Sequence, residues 1–164
     1  MGDNFAVTGD AEWLLANGIV EVLQTNLDVS AITANVRFYN SESTDRAMPC
    51  VAVSAVGVPM VGRVNEYHWR LQFACETYSG AATGEDKSGE QVHALVGLLR
   101  DWMHQDLIEG DGLNTGVVAE INAAVRGVVL HQLYEGELID DSDGRLRRLI
   151  VQADAWGYIG SASA

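Results

Sequence analysis

The chain has 164 residues, 48% of them hydrophobic, which fits one domain with a real core and excludes the composition of a disordered chain. Its formal net charge is −13. That excludes holding a duplex by neutralising its phosphates, because such affinity comes from Lys and Arg.

In chain order, residues 1–9 are expected to be a loose arm. Asp10 is placed to cap a helix running to about Leu27, with Trp13, Ala16, Val20, Leu23 and Leu27 on its buried side. Gly18 weakens that helix by ~1 kcal/mol relative to Ala, so tertiary packing must hold it. Ile32 to Tyr39 reads as a short strand, and Met48 to Val56 as a strand opening beside Pro49. A connection with an apolar tip follows, Val58-Pro59-Met60-Val61. It either folds back on the core or serves as an interface.

The most regular stretch comes next. Tyr67, Trp69, Leu71, Phe73 and Cys75 alternate with His68, Arg70, Gln72, Ala74 and Glu76, the period-two mark of a strand with one buried face. Ser88 followed by Gln91 fits a capping box. In the helix it opens, Val92, Leu95, Val96, Leu99, Trp102 and Met103 share one face. Thr115 is placed to cap a shorter helix carrying Val118, Ile121 and Val125, which Gly127 ends.

Val128 to Tyr134 is expected to be a strand, Glu135 to Gly144 an acidic turn-rich loop, and Arg145 to Trp156 the last strand. Residues 158–164 are expected to be a loose terminus. The whole reads as a single α+β domain over 1–164. Its sheet is mixed and mostly antiparallel, with about four to five strands and helices on one face.

Catalytic patterns are missing. There is no G-x-G-x-x-G after a strand, no G-x-x-x-x-G-K-[ST], no H-E-x-x-H and no G-x-S-x-G. His68 and His131 lie on different strands and could approach each other across the sheet. Asp141 and Asp143 lack the terminal Glu of an EF-hand loop, so Asp143-Gly144 reads as turn chemistry. Cys50 and Cys75 read as small buried residues. Neither a signal peptide nor an apolar run long enough for a bilayer is visible, which suggests a protein used in a cytoplasm. No cofactor and no metal are expected, and an interaction protein is favoured over an enzyme.

The order and texture of these elements resemble the tail terminator, or tail completion, proteins of long-tailed bacteriophages. The likeness rests on the N-terminal helix and the strand Met48-Pro49-Cys50-Val51-Ala52-Val53. It continues through the long strand Tyr67 to Glu76, the helix from Ser88 to Leu99, and the strand pair Val128 to Gly136 and Arg147 to Ala153. Glu109 to Ala124 departs from it, being longer than in simple family members.

The resemblance implies a structural virion protein with several partners. Copies of the chain would form a homo-hexameric ring on the head-proximal end of the tail tube. That ring would meet the tail tube protein on one side and a head–tail connector on the other. DNA would pass through the lumen without specific binding, and no membrane would be involved. Assembly would occur in the host cytoplasm and the product would sit in the tail or neck of the virion. Contacts are expected at Val58, Met60, Val61 and Trp156, and along a hairpin carrying Glu137, Asp140, Asp141, Arg145 and Arg148. The alternatives are another neck or head-completion connector protein, a non-phage α+β ligand-binding domain, or a dimerising bacterial protein.

Overall fold

A computed structural model describes residues 8–26, 29, 33, 36–38, 49–78, 88–109, 116–143 and 145–160. The elements are α1 (Thr8–Gln24), β1 (Val36–Phe38), β2 (Cys50–Pro59), β3 (Glu66–Tyr78), α2 (Ser88–Glu109), α3 (Gly116–Ala124), β4 (Val128–Asp140) and β5 (Leu146–Ile159). The strands form one sheet in the order β1-β2-β3-β5-β4. Among the described residues the β1–β2 pair is parallel and the other pairs are antiparallel. The fold is therefore α+β, with a mixed, mostly antiparallel sheet.

The core follows from side-chain periodicity. Trp69, Leu71, Phe73 and Cys75 of β3 point to one face, as do Val51, Val53 and Ala55 of β2 and Leu149, Val151, Ala153 and Ala155 of β5. The three described helices bury their apolar stripes against that face. From α1 come Leu15, Ile19 and Leu23, from α2 Leu95, Leu99 and Trp102, and from α3 Val117, Val118 and Ile121. Trp102 meets Phe73 edge-on at 6.1 Å between centroids, the favoured geometry for an aromatic pair.

Gly18, poor for helix propensity, has a packing reason. A Cβ there would lie 2.2 Å from Val125 Cγ2. Glycine lets the segment after α3 approach α1 closely.

Several expectations are corrected. Trp13 is 50% exposed rather than core, because the stripe that α1 buries is Ala11, Leu15, Ala16, Ile19, Val20 and Leu23. The stretch 135–140 is strand rather than loop. Its acidic side chains project from an edge strand, where charge is tolerated. Val58 and Pro59 belong to β2, so the true connection is shorter, Met60 to Asn65. β5 runs on to Ile159 because Ile159 N–H donates to Asn65 O at 2.9 Å, so Tyr158 and Ile159 are not loose. α1 begins at Thr8, inside the expected arm. Most of the expected strand 32–39, and residues 1–7 and 161–164, lie outside the described residues.

Candidate interaction face

The second face of the sheet carries no described helix. Register places its side chains in rows across the strands. Val58 of β2 stands opposite His68 of β3, and His68 opposite Trp156 of β5. Trp156 in turn stands opposite Gln132 of β4. A second row runs Val56, Arg70, Asp154, Tyr134. Val56 and Val58 are each about half exposed.

Aromatic contacts tie the rows together. His68 stacks on Trp156 with centroids 4.8 Å apart, and Tyr134 meets the indole edge-on at 5.7 Å. His68 Nε2 lies 2.8 Å from Asp154 Oδ1. In the exposed part of this face Arg70 sits opposite Asp154, while the Glu76–Arg148 pair lies at its other end, where Glu76 is fully buried. Opposite charges facing each other across strands are mildly favourable. In a chain of formal charge −13, this is a surface that a second acidic molecule can approach without strong repulsion.

The turn joining β2 to β3 extends the same end of the sheet. Met60 N–H donates to Glu66 O at 2.9 Å and Arg63 N–H to Met60 O at 3.2 Å, which closes the turn. Its side chains Val61 and Val64 are almost wholly exposed. So Val58, Met60, Val61 and Trp156 do come together, at one end of the sheet.

The other expected contact residues do not join them. At a rise of about 3.4 Å per residue, Arg148 lies roughly 27 Å from Trp156 along β5. Arg148 is engaged within the fold. Its Nε is 3.2 Å from Glu76 Oε1 and its Nη1 is 3.0 Å from Asp141 Oδ2. Ser142 Oγ accepts from Arg148 N–H at 3.0 Å.

The acids of this hairpin build its turn. Asp140 Oδ1 accepts from Ser142 N–H at 3.0 Å. Asp143 Oδ1 accepts from Arg145 N–H at 2.7 Å and from Leu146 N–H at 2.8 Å. The bonds from Ser142 hold the Asp140 carboxyl below its ordinary range, and those from Arg145 and Leu146 do the same for Asp143. Glu137, Asp140 and Arg145 remain exposed on or beside this hairpin.

His68 and His131 are not brought together: β5 lies between β3 and β4, and His68 is paired with Asp154. Among the described residues no three His, Cys, Asp or Glu side chains assemble into a metal site. Among them, too, no helix is long and apolar enough to cross a membrane. Cys50 and Cys75 are both buried and are not joined in a disulfide. Burial pushes the Cys75 thiol far up, helped by nearby Cys50 and Glu76.

A second polar cluster was not foreseen. Glu135 of β4 receives Arg100 and His104 of α2, one helical turn apart, and so pins that helix to the edge strand. The signal was the i,i+4 spacing of two basic groups on the polar side of the helix. Likewise, Val56, His68, Tyr134 and Asp154 were legible only as the off-core positions of their strands.

No protein-family model matches the chain, and a search of curated proteins finds no match either.

Proposed function

We propose that the chain is a structural assembly subunit, and specifically a tail terminator of a long-tailed phage. It acts as a ring on the head-proximal end of the tail tube, stopping tube growth and receiving the head connector. One observation carries the assembly reading: a sheet face bearing Val56, Val58, His68, Trp156 and Tyr134 with no described helix over it, continuous with the exposed turn at Val61 and Val64. Such a patch on an acidic chain suits protein contact better than catalysis. The assignment to tails rests on the resemblance of element order described above.

A closed ring needs two different surfaces on each subunit. On this reading the continuous patch made by the row through Trp156 and the turn Met60–Val64 is one of them. The chain carries no chemistry in the process; it occupies a surface that another tube subunit would otherwise take.

The test is complementation. Phage lacking the wild-type protein are supplied with the Trp156→Ser/Met60→Ser variant, and purified variant is sized in parallel. Loss of ring association together with failed tail joining is expected. Normal association and normal joining would remove these residues from the contact.

A further inference from the structure

Most arginines of the fold already hold a carboxylate. Arg63 reaches Glu66, Arg100 reaches Glu135, and Arg148 reaches Glu76 and Asp141. Arg70, in the middle of the second face of the sheet, is different. Its cross-strand neighbours are Val56 on β2 and Asp154 on β5. The direct partner of the Asp154 carboxylate is His68, whose Nε2 lies 2.8 Å from Oδ1. Among the described residues Arg70 forms no ion pair and no side-chain hydrogen bond, and it is exposed. In a chain with 23 acidic and 10 basic residues, a guanidinium left without a carboxylate goes against the balance of charge.

The surroundings of Arg70 are apolar and aromatic. Val56 and Val58 are exposed beside it, and Tyr134 lies beyond Asp154 in the same row. Arginine is enriched at the centres of protein contacts, where its planar fork grips a carboxylate through two parallel N–H···O bonds. Asp154 offsets part of the charge of Arg70, which keeps such a contact at the modest strength of an exposed ion pair.

We propose that Arg70 is the polar anchor of this face, and that the face takes a protein segment presenting one carboxylate between apolar side chains. A nucleic-acid backbone would bring a row of phosphates and no apolar complement to Val56, Val58 and Tyr134, and a net charge of −13 repels it. A single Asp or Glu flanked by apolar side chains satisfies the guanidinium while covering the valines. The Arg70 anchor rests on reading this face as a contact surface and is independent of the tail assignment.

The experiment is an NMR titration of the full chain with capped Val-Ser-Glu-Ser-Val, with its Gln and Lys counterparts, and with inorganic phosphate. In an extended peptide the two valines and the central residue share one side. The Nε–H of Arg70 and the indole N–H of Trp156 are followed. The Glu peptide is expected to shift both, and to bind about threefold more tightly than the Gln peptide, the scale of one exposed ion pair. Arg70→Gln should erase that preference, and Arg70→Glu should transfer it to the Lys peptide. Equal binding of all the peptides at this face would leave a contact surface without a charged anchor and overturn the proposal alone. No shift at this face with any peptide would overturn the proposal and the contact reading together. A preference that survives Arg70→Gln would assign it to another cation and overturn the proposal. Phosphate shifting Arg70 as strongly as the Glu peptide would make it a general anion site, which overturns it as well.

Discussion

The imidazole of His68 lies on the indole of Trp156, with centroids 4.8 Å apart and planes 16° apart. The two residues are direct partners on β3 and β5, so the contact follows from register rather than from loop placement. An aromatic pair contributes ~0.5–1.5 kcal/mol beyond its buried area. Trp156→Ala should therefore lower unfolding free energy by about 1–2 kcal/mol in urea titrations while leaving the fold intact. Its effect on self-association should be larger than its effect on stability. Equal loss of both would mean that the residue is structural only.

The Glu76 carboxylate is fully buried and faces Arg148 across β3 and β5. Removing one partner of a buried pair typically costs ~3–5 kcal/mol, whereas replacing both by apolar groups of similar size can be neutral. Arg148 is one-fifth exposed and also binds Asp141, so the lower end of that range applies. Arg148→Met should lose about 3 kcal/mol by denaturant unfolding. Combining it with Glu76→Leu should recover most of the loss.

Gly157 sits where β5 passes β4. A Cβ at this position would stand 2.2 Å from Val129 O and 2.9 Å from Leu130 Cα. Backbone atoms in a paired strand cannot yield as a flexible side chain does. Gly157→Ala should cost at least the ~1–3 kcal/mol of core overpacking. Amide exchange should show the loss first in the β4–β5 ladder.

Asp143 holds the hairpin turn by accepting from Arg145 and Leu146, which lowers its pKa from the ordinary value of 3.8. A carboxyl with a depressed folded pKa contributes stability above its unfolded value and loses it as pH falls through the folded value. Asp143→Ala should therefore melt lower than wild type near neutrality. The two melting temperatures should converge once the pH is well below 3.8. A difference that persists in strong acid would assign the effect to something other than the carboxylate.

Cys50 and Cys75 are adjacent in the β2–β3 ladder but belong to opposite faces, with Cys75 in the helix-covered core. Burial raises the Cys75 thiol far above the range where thiolate forms. Native protein should resist a thiol-directed reagent at neutral pH, and urea-unfolded protein should react at both positions.

The sequence was most legible where one face of an element is buried and the other is not. The stripe from Val92 to Met103 matches buried positions, and the period-two alternation of β3 holds from Trp69 to Phe73; beyond it Ala74 and Glu76, on the side expected to be open, are buried too. It was least legible where burial is decided by neighbours. Trp13 looked like core by its spacing with Ala16, Val20 and Leu23, yet the stripe that α1 buries leaves it half exposed. The acidic run after Tyr134 looked like loop by composition, but an edge strand accepts charge on its open side. The apolar tip was visible, while its union with Trp156 depends on strand order β2-β3-β5, which no local pattern encodes. The hydrogen bonds from Gly57 N–H of β2 to Glu12 of α1, and from Asn122 of α3 to Leu130 O of β4, join separate elements and have no signature in the chain.

The most direct test of the central claim is electron microscopy of particles made without this protein. The account predicts separate filled heads beside tails of variable, overlong length. Normal-length tails beside heads that leak DNA would move the chain to the connector side of the neck. Intact infectious particles would contradict the assembly role altogether.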